Sequence, residues 1–201
     1  MQSKTDSISI DDAVLVQKCR QGDSAAAERL ILRYQNRIYN TILKICANTD
    51  DAAELTQDTF VKIIENIAKF EGRSSFYTWA FRIAVNLTLN YCQRDDRLRR
   101  TSLDAQQNEY NEQAKQLLKD LLADHSSPDP AIVAQNKELC EIVIEALMRL
   151  DESQRAVVVL RDIEGMNYNQ IAKVLDIELG TVRSRLSRAR SNLREIMETF
   201  L

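Results

Sequence analysis

Glycine and proline are scarce in this chain of 201 residues, four of the first and two of the second. All six fall where the periodic pattern of apolar residues already breaks, so they punctuate helices instead of interrupting them. No strand-like alternation of useful length and no internal repeat is present, which points to an all-α fold. No stretch approaches the roughly 18 to 20 apolar residues that span a bilayer. The N-terminus, with Asp6, Asp11 and Asp12, has no basic region followed by an apolar run, so no membrane insertion is expected and the cytoplasm is the expected location. The four cysteines, Cys19, Cys46, Cys92 and Cys140, are widely scattered without a CxxC pair. That argues against both a zinc site and a disulfide framework, and they read as reduced, mostly buried thiols. The single histidine, His125, and the lack of a glycine-rich phosphate loop or nucleophile motif leave no cofactor, no metal and no catalytic residue to nominate, so the protein is not expected to be an enzyme.

The net charge of −3 argues at first against a nucleic-acid partner, but the distribution reverses that reading. From Arg183 to Arg194 there are five arginines (183, 185, 188, 190 and 194) and no acid, and a second basic group sits at Arg94, Arg97, Arg99 and Arg100. The acids Asp104, Glu109, Glu112, Asp120, Asp124 and Asp129 gather between them, opposed there only by Lys115 and Lys119.

Apolar spacing predicts a helix over about Asp11 to Arg20 and a longer one, capped by Asp23 or Ser24, through Leu30, Ile31, Tyr34, Ile38, Ile42 and Ile45. A third is predicted to start near Asp50 and Asp51, whose carboxylates suit helix amides, and to bury Leu55, Phe60, Ile63, Ile64 and Ile67. Ser75 is placed to cap a fourth through Phe76, Trp79, Ile83, Leu87 and Tyr91 to about Arg97. The segment from about Leu98 to Val133, closing on Ser126-Ser127-Pro128-Asp129-Pro130, reads as an extended, mobile tether with a transient helix around Gln113 to Leu122. Beyond it Leu139, Ile142, Val143, Ala146 and Leu147 mark a helix, Ser153 is expected to cap the next, and two more follow. The fold class is therefore two small helical domains joined by a flexible linker.

Within residues 167 to 194, Ile171, Ala172, Leu175, Ile177, Val182 and Leu186 have the spacing of a helix-turn-helix core. Gly180-Thr181 is expected to open the second helix, with Thr181 satisfying free amides. Val182, Leu186, Ala189 and Leu193 then face inward, leaving Arg183, Ser184, Ser187, Arg188 and Ser191 outside with Arg185 beside them. Such a face suits major-groove reading, since arginine bonds guanine bidentately and serine bonds bases or phosphates, while Arg190 and Arg194 suit phosphate. A solvated basic face on a C-terminal helix is the plainer alternative. The stretch from Phe70 to Trp79 combines aromatics, a glycine loop and hydroxyls, which serve either to hold an unpaired strand or simply to build a core.

Two runs carry a family resemblance. Gln57-Asp58-Thr59-Phe60, Phe70 through Trp79 and Arg82-Ile83-Ala84-Val85-Asn86 resemble the second conserved region of extracytoplasmic-function sigma factors of bacterial RNA polymerase. Leu160-Arg161-Asp162-Ile163-Glu164-Gly165, Ile171-Ala172 and Gly180 through Arg190 resemble their fourth region, and among members the chain looks nearest the envelope-stress type. The resemblance implies a region 2 domain at 1–97, an acidic linker at 98–135 and a region 4 domain at 136–201. It implies docking on the clamp of the polymerase largest subunit through Glu54, Gln57, Asp58, Val61 and Lys62. Contacts to the melted −10 element would come from Phe70, Arg73, Ser74, Ser75, Arg82, Ile83 and Asn86. Thr181, Arg183, Ser184, Arg185, Ser187 and Arg188 would read the −35 duplex while the same domain meets the flap of the second subunit. The linker would pass through the channel of the nascent RNA, and an anti-sigma factor is an implied partner.

Two other classes compete. Glu54, Asp58 and Glu65 on one helix could suggest a metal site in a helical nucleotide hydrolase, but such a site needs several carboxylates converging from facing helices, and a solvated, helix-capping or partner-binding role suits these acids better. A free-standing operator-binding regulator would normally need a dimer, and no heptad seam offers one.

Overall fold

A computed structural model of the chain describes residues 4–101, 113–119 and 130–200. In order they form α1 (Lys4–Arg20), α2 (Ser24–Cys46), α3 (Thr49–Asn66), a short 3₁₀ turn (Ile67–Lys69) and α4 (Phe76–Thr101). Then come α5 (113–119), α6 (Pro130–Arg149), α7 (Glu152–Val158) continued by a π turn (Val159–Ile163), α8 (Tyr168–Leu175) and α9 (Leu179–Glu198). No strand occurs among the described residues.

Local chemistry sets most helix starts. Asp23 caps α2, its carboxylate accepting from the Ala26 amide at 3.1 Å. At α3 the cap is Asn48, which accepts from the Asp50 and Asp51 amides at 2.9 and 3.1 Å. This frees the Asp51 carboxylate, expected at the helix amides, to take the Tyr91 hydroxyl at 2.7 Å and tie α3 to α4. Ser75 caps α4 as expected, accepting from the Thr78 amide. Ser153 does not cap α7: the residue in the extended conformation there is Asp151, which accepts from the Gln154 amide, and Ser153 donates to that carboxylate instead.

Two apolar stripes differ from the periodic reading. Ile64 is 40% exposed, because the inward face of α3 is completed by Leu55, Phe60, Ile63 and Ile67. On α6, Leu139 is 52% exposed, and the buried positions are Ile144, Ala146 and Leu147; Ile144 and Leu147 line a small cavity with Leu118 of α5, and the helix packs on α9. The described parts of the segment expected as an extended tether are helical. Helix α4 runs to Thr101, and Pro130, a residue preorganised for a first helical position, opens α6. Between them α5 buries Ala114 and Leu118 and pairs Lys115 with Glu145 and Lys119 with Glu141 on α6. The acids at 104, 109, 112, 120, 124 and 129, the histidine and the side chains of Arg97, Arg99 and Arg100 lie outside the described residues.

The buried residues form one continuous cluster, running from Leu15 and Leu30 through Phe81 and Val85 to Leu160, Ile171 and Leu186. It is continuous because α8 packs along α4 while α7 and its π turn pack on α2. Arg155 sits at that junction, 6% exposed, and donates to Leu147 O, Met148 O and Leu150 O at the end of α6 and to Ile45 O near the end of α2, at 2.6–2.9 Å. Four carbonyls at two helix C-termini thus satisfy a charge that would otherwise be costly to bury. Burial still lowers the Arg155 pKa, against the pull of Glu152.

Candidate nucleic-acid interface

The helix-turn-helix is fixed from below by its core. Ile171, Val174, Val182 and Ala189 are fully buried, Leu186 nearly so, and Ile177 and Ala172 are half-buried against them. Asn167 starts α8 with a reciprocal capping box: its side chain accepts from the Gln170 amide and the Gln170 side chain accepts from its own amide, both at 2.9 Å. Asp176 adopts the left-handed conformation (φ 56°) that turns the chain, and the Ile177 amide donates back to Ala172 O at 3.1 Å. Helix α9 begins at Leu179, earlier than the sequence suggested, with Glu178 in the cap position and no side-chain cap bond. Thr181 is therefore inside the first turn and caps nothing; its carbonyl accepts from Ser184 Oγ at 3.1 Å.

Thr181, Arg183, Ser184, Ser187 and Arg188 are all exposed on α9, and Arg185 is half-buried beside them. Arg183, Arg185 and Arg188 form no ion pair among the described residues. Arg190 differs, because its guanidinium is held by both carboxylate oxygens of Asp162, and that bond raises its pKa. Arg183 also borders an open cleft of about 270 Å³ whose other walls are Arg161, Asn167, Tyr168, Asn169 and Leu179. There Arg161 lies 5.1 Å above the Tyr168 ring and donates to Met166 O at 2.8 Å. Arg161 was legible only as a letter in a motif, since a residue held by a ring and a carbonyl follows no spacing rule.

The Phe70–Trp79 stretch turns out to be both core and surface. Phe76 is buried, and the Phe70 ring lies 5.1 Å from Trp79 and edge-on to Phe76 at 6.1 Å, with Phe76 and Trp79 5.8 Å apart. Phe70 remains half-exposed at the lip of the loop, where Gly72 takes φ +72°. Arg73 stands in solvent paired with Glu71 at 2.7 Å. Ser74 donates weakly to Ser75 O at 3.3 Å, while Ser75 shares a 2.9 Å hydrogen bond with Thr78 Oγ1 in addition to its capping bond. On α4, Ile83 and Asn86 are half-buried, and exposed Arg82 pairs across the domain junction with Asp176 at 3.1 Å.

Glu54, Gln57, Asp58, Val61 and Lys62 form a wholly exposed stripe on α3, to which Ile64 adds a second apolar side chain beside Val61. Glu54, Asp58 and Glu65 point to solvent along this helix, and no group of three or more metal-ligating side chains converges among the described residues. All four cysteines are free; Cys92 is buried and the others half-buried. Burial pushes the Cys46 and Cys92 thiols up to about 12.

The chain matches the Sigma-70 region 2 family over residues 30–98 and the Sigma-70, region 4 family over residues 140–193. It is 31% identical over 192 residues to the ECF RNA polymerase sigma-E factor of Haemophilus influenzae, covering 96% of this chain and 98% of that one. This chain belongs to the extracytoplasmic-function sigma factors. The sigma-E factor of Escherichia coli K12 is 34% identical over 182 residues (90% and 91% covered), and the sigma-H factor of Pseudomonas aeruginosa 32% over 191 (94% and 95%). The fold is shared with CnrH, solved with the cytosolic domain of CnrY (TM-score 0.62, 22% identity, 94% of this chain and 98% of that one). It is shared also with the Bartonella quintana sigma factor RpoE, solved with the anti-sigma factor NepR (TM-score 0.61, 22% identity, 85% and 96%). This sigma factor therefore directs promoter-specific transcription initiation, with core RNA polymerase and promoter DNA as its partners. No helix among the described residues is long and apolar enough to cross a membrane.

Proposed function

We propose that the sigma factor reads the −35 duplex through Thr181, Arg183, Ser184, Arg185, Ser187 and Arg188. The observation that carries this is a reading helix held on its inner side by Val182, Leu186 and Ala189 while its outward arginines 183, 185 and 188 have no ionic partner among the described residues. Unpaired guanidinium groups need no internal bond broken before they meet base edges or phosphate. Arg161 and the Asn167–Asn169 end of α8, across the cleft from Arg183, lie where a first helix crosses the backbone and would contact phosphate.

At the other element, Phe70, Arg73, Ser74, Ser75, Arg82, Ile83 and Asn86 receive the non-template strand of the opened −10 region. Phe70 supplies a half-exposed ring to stack on a base, and the loop supplies hydroxyls and a cation. The α3 stripe of Glu54, Gln57, Asp58, Val61 and Lys62 docks on the polymerase clamp, with Ile64 extending its apolar centre. Region 2 then corresponds to 1–97, region 4 to 136–201 with the flap as its second contact, and 98–135 to the linker in the RNA channel. The protein carries no chemistry of its own, works in the cytoplasm, and is held in reserve by an anti-sigma factor.

Polymerase holds both reading domains on one promoter and so raises the effective concentration of each at its element. Transcription reconstituted from purified core polymerase and a promoter library tests the whole reading. Initiation on a defined promoter subset is the expected result, with weak duplex binding by the sigma factor alone. Tight, specific duplex binding without polymerase, and no initiation with it, would instead identify an operator-binding regulator.

A further inference from the structure

Three charged residues in and just after the π turn that follows α7 are sent to three different helices. Arg161 lies against the Tyr168 ring at the start of α8. Asp162 holds Arg190 of α9 with both carboxylate oxygens, Oδ2 accepting from Nε at 3.2 Å and Oδ1 from Nη2. Glu164 clusters with Arg37, Thr41 and Lys44 of α2. The Glu164 amide donates to Val159 O, five residues back, at 2.9 Å, and this wider winding spreads neighbours in sequence over so broad an arc. The turn therefore holds both helices of the helix-turn-helix, with one residue for each.

Arg190 stands seven residues after Arg183, two helical turns and about 10.5 Å further along the same flank of α9. The buried contacts of this helix, Val182, Leu186 and Ala189, lie along a single stripe. One stripe fixes how closely a helix packs but resists its roll only weakly. A bidentate bond off the stripe resists roll directly, because the planar guanidinium fork fits a carboxylate in one orientation. Roll in turn decides whether Arg183, Ser184, Ser187 and Arg188 meet base edges or pass beside them, since a recognition surface tolerates only small angular error.

We infer that Asp162 and Arg190 are positioning residues for −35 reading: their pair sets the roll of α9, and Arg190, although basic and exposed on the reading helix, contacts no DNA. The inference rests on the reading of α9 as the −35 contact. An arginine whose fork is filled by one carboxylate has to give it up before it takes a phosphate. Asp162, with its side chain 38% exposed, would then be left as an unpaired negative charge beside the reading helix. Arg183, Arg185 and Arg188, which have no ionic partner among the described residues, meet DNA without that cost.

The test uses the full chain assembled with core polymerase and measures binding to promoter duplexes carrying the preferred or an altered −35 sequence, over a range of salt concentrations. Asp162→Asn, Arg190→Ala, Arg190→Lys and the double variant Asp162→Asn plus Arg190→Ala are compared with Arg183→Ala. Each single change at the pair should lower the preference for the −35 sequence about threefold, within what a bidentate surface pair supplies, and leave the salt slope as in wild type. Lysine should do no better than alanine at 190, because it lacks the fork. The double variant should lose no more than either single one, since both break the same pair. Denaturant midpoints should stay near wild type throughout, which separates lost orientation from lost fold. A phosphate contact at Arg190 gives a different pattern. Arg190→Ala then weakens binding to every promoter alike and lowers the salt slope by about 0.9, Arg190→Lys retains most of it, and Asp162→Asn tightens binding. That pattern overturns the inference, and so does wild-type preference in both Asp162→Asn and Arg190→Ala. If Arg183→Ala leaves the preference unchanged as well, the −35 reading of α9 fails and the inference falls with it.

Discussion

On α9 the outward arginines 183, 185 and 188 have no ionic partner among the described residues, whereas around α4 almost every polar group named for the −10 element is already engaged. Ser75 is bonded to Thr78, Arg73 to Glu71 and Arg82 to Asp176. On the proposed reading, the contrast follows from what each surface must meet. Duplex DNA presents its edges before the protein arrives, so a rigid, preformed face is enough. An unpaired strand exists only after melting, and a site for it can be closed until then. Arginine shows the same division within one domain: Arg183 faces outward, while Arg155 is spent on four carbonyls at the junction.

The largest effect is expected at Arg155. Arg155→Met keeps much of the buried volume but leaves four carbonyls without their donor. It should destabilise the chain by about 3 kcal/mol, the scale of losing charge-assisted hydrogen bonds in a buried site. Denaturant unfolding of the full chain measures it, and a midpoint equal to wild type would show that water replaces the guanidinium freely. Arg183→Ala should do the reverse. Unfolding should be unchanged within about 0.5 kcal/mol for an exposed site, while discrimination among −35 sequences falls by about 1–3 kcal/mol. Competition transcription between paired promoters reads that loss, and a uniform drop on every promoter would reassign Arg183 to phosphate.

How much of this was legible beforehand follows the range of the interactions involved. The helix-turn-helix core from Ile171 to Leu186 and the Ser75 and Asp23 caps depend on residues within a turn or two, and local spacing reveals them. Asn48 and Asp151 were missed as caps because neighbouring Asp50, Asp51 and Ser153 offered equally suitable side chains, and only the backbone conformation decides. The Glu164 cluster joins residues 120 or more positions apart, and no periodicity carries that distance. The same holds for the α5 face of α6, where burial moved to Ile144 from Leu139 because a segment that reads as polar linker packs there.

On a third surface a substitution is expected to act on binding and not on folding. Ile64 and Val61 are 40% and 55% exposed amid the polar residues of α3, so Ile64→Ser should leave folding intact and weaken core polymerase binding by about 1 kcal/mol, roughly fivefold. Fluorescence anisotropy of labelled sigma factor titrated with core enzyme measures this. Unaltered affinity would move the docking surface off the apolar part of α3.

A similarly small effect distinguishes two adjacent serines. Ser75 accepts from the Thr78 amide and shares a bond with its hydroxyl, so Ser75→Ala should cost about 1 kcal/mol of stability through the lost cap. Ser74 makes only a 3.3 Å bond to the neighbouring carbonyl, so Ser74→Ala should leave unfolding unchanged. Promoter opening, followed by permanganate reactivity of unpaired thymines, then separates scaffold from contact. If Ser75 acts only as a cap, Ser75→Gly retains most of the helix start, because glycine at a cap position costs a few tenths of a kcal/mol, and opening is restored relative to Ser75→Ala. If its hydroxyl meets a base once the strand is free, glycine and alanine impair opening equally. In that case the serine must give up Thr78 when DNA binds, and the engaged polar groups around α4 are a resting arrangement that the melted strand replaces.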